Sequence, residues 1–408
     1  MSGRPVPMAS AALALPVANP DSLGLCPQRT RRLVDVLQVE VDRQRLPGAV
    51  VLIARHGKLA LFESLGALDP ALGTPMVRDA IFRIYSMTKP IVSVAAMVLM
   101  EQGKLLLSDP VSKYLPEYAA QNVATLVDDA VRLCAVQQPA TIQDLLRHTA
   151  GLTYEFMGSS SVQRQYAQSR IGSRSRSNAE FSHVMAGLPL MFEPGSLWEY
   201  GRATDVLGRV LEVASGQTLG AYLQAQIFKP LGMIDTGFSV PAQDQHRIAE
   251  PFARDPDGGL QMRVIDVREV PAMESGGGGL ASTATDYARF LQFMLNRGEL
   301  DGVRLLGPRT VDFMTADHLG DIPVNGGASR ALLPRGHGFG LGFAVRKELG
   351  VAPVPGSVGS YFWGGMAGTT FFVDPAEDLF ACLMLQAPNQ REYYRMLFRD
   401  LVYATLVD

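Results

Sequence analysis

Apolar positions near the start of the chain predict a helix followed by a β-hairpin. Over 29–41 they recur at helical spacing, which is typical of an amphipathic helix covering a sheet. Two short runs of apolar and β-branched residues follow at 48–54 and 59–65, separated by a polar turn that contains Gly57. This arrangement predicts an antiparallel hairpin and the first half of a sheet.

The far end of the chain carries the same kind of pattern. Short apolar runs at 340–345, 368–373 and 379–385 are broken by Gly, Pro and Asp, and they predict three further strands. The segment 391–407 that follows is predicted to be helical. We therefore expect strands from both ends of the chain to share one sheet.

Between these ends the pattern is helical. Predicted helices with glycine stops lie at 90–100, 142–147, 205–214 and 219–228. The fold class predicted is α/β plus α, with an antiparallel sheet flanked by helices and an inserted helical domain. The predicted domains are 1–85 (α/β, first half, with an N-terminal tail over about 1–25), 86–264 (mainly helical) and 265–408 (α/β, second half).

One segment, 157–182, fits neither pattern. It is rich in Ser, Arg and Gln and has little periodicity, which predicts a long surface excursion rather than a core element. Such a segment either lines a site or is a flexible insertion, and the sequence leaves both interpretations open.

Composition and charge narrow the class of protein. The chain has 408 residues, of which 47% are hydrophobic and 19% charged, so it can build a large core divided between two lobes. Its net charge of -3 argues against nucleic acid or an anionic membrane as partner, because such surfaces select dense Lys and Arg patches. A small neutral or weakly charged substrate fits this charge better.

The cysteines suggest neither a disulfide framework nor a metal site. Cys26, Cys134 and Cys382 are far apart in sequence, odd in number and in no metal-ligand spacing. We therefore expect three buried thiols, no metal and no cofactor.

The N-terminal segment is a poor match to a signal peptide, because its apolar run over 8–18 is interrupted by Pro16. We therefore expect a cytoplasmic protein, with periplasmic or secreted locations left open. No uninterrupted apolar stretch approaches the roughly 20 residues of a membrane-spanning helix, so no integral membrane protein is predicted.

The first candidates for chemistry are Ser86 and Lys89. The run from Pro90 to Met100 is apolar on all sides, which predicts a buried helix with Pro90 in its first turn. Ser86 is then placed at a helix N-terminus, where backbone N–H groups and the helix dipole favour a developing alkoxide or oxyanion. Lys89 lies three residues further on, within reach of the serine hydroxyl.

The environment of Lys89 decides between two interpretations. A lysine beside a buried helix loses hydration, which lowers its pKa and lets the neutral amine accept a proton from Ser86. The competing interpretation is a capping serine next to a surface lysine, since the four-residue pattern also arises by chance. Because the pair lies at the N-terminus of a buried helix, the sequence favours the catalytic and the capping interpretations about equally.

Two further segments carry candidate site residues. Tyr200 follows a turn-bearing loop and precedes a predicted helix, so its phenol could enter a cleft and relay a proton near Lys89. The glycine-rich stretch 363–368 opens an apolar run and permits close approach of a substrate to backbone N–H groups. Each segment alone also fits a structural interpretation, namely a packed aromatic residue and a glycine-rich strand connection.

Taken together, these residues resemble a known family. The segments Ser86-Met-Thr-Lys89, Tyr200-Gly-Arg202 and Trp363-Gly-Gly365 stand in the order of the three motifs of class C β-lactamases and penicillin-binding proteins. The chain is most similar to the family VIII carboxylesterases, which share that fold, and the resemblance runs from about residue 33 to the C-terminus. Further similar segments are 144–152, 276–283 and 337–342.

The resemblance implies a serine β-lactamase-like fold and a role for each motif residue. It makes Ser86 the acylated nucleophile, Lys89 the base and Tyr200 the proton relay. The backbone N–H groups of Ser86 and Met366 form the implied oxyanion hole. The implied substrate-binding residues are Trp363, Gly364, Gly365 and Arg202.

Two departures from the β-lactamase pattern bear on the substrate. Trp363 stands where β-lactamases typically carry the Lys of Lys-Thr-Gly, whose cation helps to hold the substrate carboxylate. Arg202 replaces the Asn of Tyr-x-Asn, which puts amide recognition in doubt. Esterases similar to this chain carry the same Trp-Gly-Gly, so the first departure favours ester hydrolysis over β-lactam hydrolysis.

We therefore predict a serine hydrolase, specifically a carboxylesterase that hydrolyses short-acyl carboxylic esters through a Ser86 acyl-enzyme, with weak β-lactamase side activity. The sequence leaves open a β-lactamase or D-Ala-D-Ala carboxypeptidase-like amide hydrolase, and an acyltransferase, since an alcohol can intercept the acyl-enzyme. Outside the enzymes, it leaves open a silent ligand-binding module. The predicted partner is a small-molecule ester, with no nucleic acid and no membrane, and the oligomeric state is not predicted.

Overall fold

The structure is a computed structural model that describes residues 14–127 and 130–407. The predicted N-terminal tail over about 1–25 and the apolar run over 8–18 therefore lie partly outside the described residues.

The strands within the described residues are β1 (Gly48–Arg55), β2 (Lys58–Asp69), β3 (Thr74–Pro75), β4 (Phe82–Arg83), β5 (Asn122–Val127), β6 (Ala130–Ala135), β7 (Ala281–Ser282), β8 (Glu299–Leu300), β9 (Val303–Arg304), β10 (His337–Phe339), β11 (Ala344–Arg346), β12 (Tyr361–Gly364), β13 (Gly368–Asp374) and β14 (Leu379–Gln386).

The helices in the same part of the chain are α1 (Pro27–Asp42), α2 (Thr88–Glu101), α3 (Ile142–Leu146), α4 (Ser161–Gln168), α5 (Asn178–Ala186), α6 (Ala203–Ser215), α7 (Leu219–Leu223), α8 (Lys229–Leu231), α9 (Ala284–Leu295), α10 (Pro308–Met314), α11 (Ala328–Leu332) and α12 (Arg391–Tyr403). A π-helical turn, Gln224–Phe228, joins α7 to α8.

One large sheet is built from both ends of the chain. Its strand order is β10-β11-β12-β13-β14-β1-β2-β3, and neighbouring strands are antiparallel. β1 lies inside the sheet, so Val51 pairs with Glu63 of β2 on one side and with Leu383 of β14 on the other. The predicted antiparallel sheet shared by the two ends is thereby confirmed.

Helices cover both faces of this sheet. Successive strand residues point to opposite faces, so Ala49, Val51 and Ile53 join a hydrophobic cluster with α1 and α12. Val50 and Leu52 join the larger cluster that contains α2 and α9. Because neither face is left to solvent, β1 is buried along its whole length, and its sequence is apolar up to the final residue, Arg55.

The helical part of the chain places the start of α2 against the large sheet. α2 packs against α6, and α6 also contacts α3 and α5. The short turn that precedes α2 contacts β12. The N-terminus of α2 therefore lies where the helical part meets the sheet.

The predicted strand over 340–345 is wrong in its bounds. The chain pairs as β10 up to Phe339, turns, and resumes as β11 at Ala344. Gly342 lies in this turn with a φ of +98°, a conformation that strand residues with side chains do not adopt. The apolar run therefore spans a turn between two short strands.

The expectation that 157–182 lies outside the core is also wrong. The segment contains α4 and the start of α5, and Val162, Tyr166 and Phe181 are buried in the larger hydrophobic cluster. Each helix begins with a capping box, in which a serine hydroxyl accepts the N–H of the third helical residue. The two helices have only 8 and 9 residues, which is too short for a clear apolar period.

The cysteines within the described residues are free thiols in three different environments. Cys382 is buried, Cys26 is half-buried and Cys134 is exposed. The expectation of a buried thiol is wrong for Cys26, which is only partly covered, and for Cys134. Cys134 lies on the two-stranded β5–β6 hairpin, which has fewer neighbours to cover it than the large sheet.

None of the helices in the described ranges is both long enough and apolar enough to cross a lipid bilayer. The division of the chain after residues 85 and 264 stays a prediction, and so does the cytoplasmic location.

Candidate active site

Ser86 lies at the entrance to the buried helix α2. Residues Tyr85–Met87 form a 3₁₀ turn that runs directly into Thr88, the first residue of α2. Tyr85 has a positive φ of 44°, which is uncommon for a residue with a side chain and often accompanies a functional site. Ser86 itself is half-buried. The structure thus places Ser86 at the N-terminal end of a helix, as the sequence predicts.

The Lys89 amine is surrounded by oxygen atoms. Its Nζ lies 3.2 Å from Ser86 Oγ, 3.0 Å from the Tyr154 hydroxyl and 2.6 Å from the Gly277 carbonyl oxygen. The side chain is 0% exposed. None of these hydrogen-bond partners is a carboxylate, so no negatively charged group in direct contact stabilises the charged form of the amine.

Burial controls the charge of Lys89. Loss of hydration lowers its pKa from 10.5 to about 7, while the negative charge of Asp205 opposes this change and the positive charge of Arg202 adds to it. A large fraction of Lys89 is therefore neutral at neutral pH. The neutral amine has a lone pair that can accept the proton of the Ser86 hydroxyl.

Tyr200 lies beside both Ser86 and Lys89. Lys89 Nζ lies 4.5 Å from the centre of the Tyr200 ring, and the Tyr200 hydroxyl forms a hydrogen bond with Ser86. The hydroxyl also accepts a hydrogen bond of 3.2 Å from the indole Nε1 of Trp363. Burial raises the pKa of the phenol well above its usual value, although these two hydrogen bonds act in the opposite direction. The phenol therefore remains protonated at neutral pH and can pass a proton on.

Tyr154 is a site residue that the sequence analysis missed. Its hydroxyl accepts a hydrogen bond from Lys89, and its ring centre lies 5.5 Å from that of Tyr200. It is separated from Lys89 by 65 residues in sequence, so no local spacing reveals the contact. One feature of the sequence could have pointed to Tyr154 as a site residue: it lies two residues after the segment 144–152, which is similar to the family VIII carboxylesterases.

Arg202 is connected to Lys89 through a chain of hydrogen bonds. It donates to Glu155 at 2.6 Å and to Asp205 at 3.3 Å. Asp205 accepts the Gly277 N–H at 2.9 Å, and the Gly277 carbonyl accepts a hydrogen bond from Lys89. The Arg202 side chain is 11% exposed and is engaged by two carboxylates. The predicted contact of Arg202 with the substrate stays a prediction. Its observed contacts orient Asp205, which in turn holds the Gly277 loop against the Lys89 amine.

The glycines at the end of β12 bring the backbone of this strand close to the segment that carries Ser86. The Gly365 N–H donates to the Thr369 carbonyl at 2.7 Å. A Cβ atom on Gly365 would overlap the Ile84 carbonyl oxygen and the Thr369 hydroxyl. Only glycine therefore permits this approach of the strand to the segment that carries Ser86.

A hydrogen bond to the carbonyl oxygen of Gly365 fixes the orientation of the peptide group that joins Gly365 to Met366. Arg395 of α12 donates a hydrogen bond to the Gly365 carbonyl oxygen. The Met366 N–H belongs to the same planar peptide and points in the opposite direction. Within the described part of the chain, no hydrogen-bond acceptor engages that N–H. The sequence analysis did not identify Arg395, because it lies on a different element with no motif of its own.

Trp363 forms an aromatic wall beside Tyr200. It is 5% exposed, and its ring centre lies 5.1 Å from that of Tyr200 and 5.3 Å from that of Phe339. Its single N–H donates to Tyr200. The structure thus brings Ser86, Lys89, Tyr200 and Trp363 into direct contact or near contact.

The fold and this arrangement of a serine, a desolvated lysine and a tyrosine define a serine hydrolase with a β-lactamase-like fold. The sequence profile of the Beta-lactamase family matches residues 33–403, and the chain belongs to that family.

Related proteins place the chain among esterases and acyltransferases. Esterase EstB of Burkholderia gladioli is 35% identical over 398 residues, which cover 91% of this chain and 95% of that protein. Monacolin J acid methylbutanoyltransferase of Aspergillus terreus is 30% identical over 368 residues, covering 83% and 86%. The solved structure of EstCE1, a hydrolase with promiscuous acyltransferase activity, aligns with a TM-score of 0.78 and 29% identity over 92% of this chain and 99% of that one. The predicted resemblance to family VIII carboxylesterases is confirmed.

Proposed function

We propose that the protein is a carboxylesterase that hydrolyses short-acyl carboxylic esters through an acyl-enzyme on Ser86. The observation that carries the proposal is the fully buried Lys89 amine, with its pKa lowered to about 7 and its Nζ 3.2 Å from Ser86 Oγ. A base of this strength matches the pH at which it has to work. The similarity to esterase EstB supports an ester as the substrate.

In the proposed acylation, Lys89 accepts the proton of the Ser86 hydroxyl while Oγ forms a bond to the ester carbonyl carbon. The tetrahedral intermediate then breaks its bond to the alcohol oxygen. The proton moves from Lys89 through the Tyr200 hydroxyl to this leaving oxygen. Tyr200 suits the relay because it is hydrogen-bonded to Ser86 and keeps its own proton at neutral pH. In deacylation a water molecule replaces the alcohol and the same proton transfers run in reverse.

The proposed oxyanion hole consists of the N–H groups of Ser86 and Met366. The position of Ser86 at the start of α2 supports the first donor, because helix N-termini favour negative charge. The hydrogen bond from Arg395 to the Gly365 carbonyl supports the second donor, because it fixes the peptide that carries the Met366 N–H. Donors fixed before the reaction stabilise the developing oxyanion without reorganisation.

The proposal includes slow hydrolysis of β-lactams. Trp363 offers an aromatic wall whose one N–H is bound to Tyr200, so it supplies no cation for the carboxylate of a penicillin or cephalosporin. A lost charge-assisted contact is worth about 1.5–3 kcal/mol, or roughly tenfold to a hundredfold in kcat/KM. The test compares a butyrate ester with a chromogenic cephalosporin on the wild type and on Trp363→Lys. If the wild type prefers the cephalosporin, or if the substitution leaves the ratio unchanged, Trp363 does not select the substrate.

Acyl transfer to an alcohol is the second candidate function. It is favoured by the similarity to the methylbutanoyltransferase and to EstCE1. In this reaction an alcohol oxygen forms the new bond to the acyl carbon and the bond to Ser86 Oγ breaks. Lys89 accepts the alcohol proton and returns it to Ser86 Oγ. Adding a short alcohol during turnover of 4-nitrophenyl butyrate separates the two functions. A transferase forms mainly the new ester, whereas a hydrolase forms mainly butyrate.

The nucleophile assignment is tested by Ser86→Ala on 4-nitrophenyl butyrate. We expect kcat/KM to fall by roughly 10³-fold or more, because no other group replaces the lost nucleophile. The matched control is Ser93→Ala, a buried serine on the same helix α2, which we expect to retain activity. Near-normal activity of Ser86→Ala would refute the assignment. A wild type with no turnover of any ester would favour a silent binding module.

A further inference from the structure

A buried carboxylate lies directly before Tyr200 in the chain. Glu199 is 3% exposed, and its two oxygens accept three hydrogen bonds from side chains. Oε1 accepts the Thr153 hydroxyl at 2.7 Å, whereas Oε2 accepts the Ser329 hydroxyl at 2.7 Å and the Asn325 amide at 2.9 Å. All three donors are uncharged groups that bind a charged acceptor, which makes these hydrogen bonds stronger than those between neutral groups.

The partners of Glu199 belong to the segments that hold the two site tyrosines. Thr153 directly precedes Tyr154, whose hydroxyl lies 3.0 Å from the amine of the proposed base. The Ser329 hydroxyl donates to Glu199 and accepts the backbone N–H of Tyr200 at 3.3 Å. One carboxylate therefore connects the backbone that carries Tyr200 to the loop that carries Tyr154.

The backbone around Glu199 is itself held on both sides. The Glu199 N–H donates to the His148 carbonyl at 3.0 Å. The Trp198 N–H donates to the Pro323 carbonyl at 2.8 Å, and the Trp198 carbonyl accepts the Asn325 N–H at 2.9 Å. Because the fold fixes the position of the carboxylate in this way, the carboxylate can fix the side chains that bind it.

Through the two tyrosines, Glu199 is connected to the reacting groups. The Tyr200 hydroxyl forms a hydrogen bond with Ser86, and Lys89 Nζ lies 4.5 Å from the centre of the Tyr200 ring. Proton transfer requires hydrogen-bond reach, and misplacing a group by about 1 Å can lower a rate about a hundredfold. A residue that fixes the tyrosine rings can therefore control the reaction without touching the substrate.

We propose that Glu199 is a positioning residue that holds the Tyr200 hydroxyl where it relays the proton to the leaving alcohol, with Tyr154 held by the same carboxylate. This inference rests on the proposed esterase function and deepens it by naming the residue on which the proton relay depends. The alcohol part of the ester decides how much this matters. The 4-nitrophenolate group leaves as a stable anion, whereas ethoxide is a strong base and has to receive a proton as it leaves.

The test compares ethyl butyrate with 4-nitrophenyl butyrate, two esters with the same acyl group. The measured quantity is the ratio of kcat/KM for the ethyl ester to that for the 4-nitrophenyl ester. Glu199→Ala removes the carboxylate and should lower the ratio about tenfold or more, because the displaced Tyr200 protonates ethoxide poorly. Ser329→Ala removes only the bridge to the Tyr200 N–H and should lower the ratio by a smaller factor.

Asp374→Ala is the matched control. Asp374 is another fully buried carboxylate that binds uncharged donors, namely two backbone N–H groups at 3.0 and 3.2 Å and a tyrosine hydroxyl. It ends β13, whereas the glycine-rich stretch 363–368 lies at the beginning of that strand. We therefore expect Asp374→Ala to leave the ratio unchanged.

A double-mutant comparison gives the second measurement. In a protein that already carries Tyr200→Phe the relay is absent, so the addition of Glu199→Ala should leave the ratio unchanged. A merely structural role of Glu199 would instead lower kcat/KM for both esters by the same factor. It would do so in both backgrounds, and the ratio would never move.

The outcomes separate this inference from the proposed function. If the wild type hydrolyses both esters and Glu199→Ala leaves the ratio unchanged, the inference is overturned and the esterase function stands. An equal fall with Asp374→Ala, or a wild type that hydrolyses only the 4-nitrophenyl ester, overturns it as well. If the wild type hydrolyses neither ester, both proposals fail. Should Glu199→Ala not fold, Ser329→Ala decides, and an unchanged ratio in that variant overturns the inference.

Discussion

Lys89 shows how burial changes the chemistry of an ordinary residue. Its position three residues after Ser86 is visible in the sequence, and so is the apolar helix that follows. What the sequence does not show is that the Tyr154 hydroxyl and the Gly277 carbonyl, from two distant segments, complete its surroundings. These neutral oxygens orient the amine, while the absence of a carboxylate among these partners leaves desolvation as the dominant effect on its pKa.

The pH dependence of turnover follows from this pKa. Lys89 acts as a base only when neutral, and its pKa is lowered to about 7. The kcat/KM for 4-nitrophenyl butyrate should therefore fall about tenfold per pH unit below pH 7 and level off above it. A rate that stays flat from pH 5.5 to 8.5 would count against a lysine base.

The same pKa predicts how stability changes with pH. Folding lowers the pKa of Lys89, so between about pH 7 and 10.5 the unfolded chain binds one more proton than the folded protein. The cost of burying Lys89 is thus largest below pH 7 and disappears as pH rises toward 10.5. Relative to wild type, Lys89→Met should lose up to about 1.4 kcal/mol of unfolding free energy per pH unit in this range. Urea denaturation measures the difference, and exposed Lys104→Met is the control, for which no such trend is expected.

Tyr154 is predicted to tune the base rather than to carry the proton. Its hydroxyl accepts a hydrogen bond from Lys89 and so favours the charged amine. Tyr154→Phe should lower kcat/KM about tenfold, since a lost hydrogen bond to a charged group is worth about 1.5–3 kcal/mol. The acid limb of the pH profile should also move to lower pH. Tyr118→Phe, another buried tyrosine whose hydroxyl meets the Ser182 carbonyl, should move neither quantity. If the acid limb of the pH profile does not move in Tyr154→Phe, Tyr154 contributes only packing and does not change the pKa of Lys89.

At the scale of elements, the sequence predicts long amphipathic or fully buried helices and strands well, and short helices and strands poorly. α1 carries enough apolar positions to define a helical period, whereas α2 and β1 stand out as continuous apolar runs. α4 and α5 do neither, and their clearest sequence signals are the capping boxes that start at Ser160 and Ser177. A similar limit affected the run 340–345, where a turn at Gly342 separates two strands of three residues each.

The capping box at Ser177 should contribute measurably to stability. The Ser177 hydroxyl accepts the Glu180 N–H at 3.2 Å, and the Glu180 carboxylate accepts the Ser177 N–H at 2.7 Å. Ser177→Ala removes the first of these contacts and should lower the free energy of unfolding by about 1 kcal/mol. Urea denaturation gives the value. Ser159→Ala, at an exposed serine before the other helix, is the matched control. Equal stabilities of the two variants would show that the cap does not hold α5.

At the scale of the whole molecule, the two ends of the chain meet in one sheet and the middle supplies the helical wall. The sequence predicts this arrangement because the predicted strands lie near the two ends and four predicted helices lie between them, although it misses the β5–β6 hairpin in the middle of the chain. It also predicts Ser86, Lys89, Tyr200 and Trp363 as one site, through the order of three motifs. The residues that it misses, such as Tyr154 and Arg395, act across long sequence separations and belong to no local pattern.

The central claim is that Ser86 becomes acylated with Lys89 as its base. The most direct measurement is peptide mapping by mass spectrometry after a fluorophosphonate has reacted with the folded protein at pH 8. The account predicts one phosphonylated peptide, with the adduct on Ser86 in the wild type, no adduct in Ser86→Ala, and much slower labelling in Lys89→Met. An adduct on a different serine, or full ester turnover by a protein in which Ser86 is replaced, would contradict it.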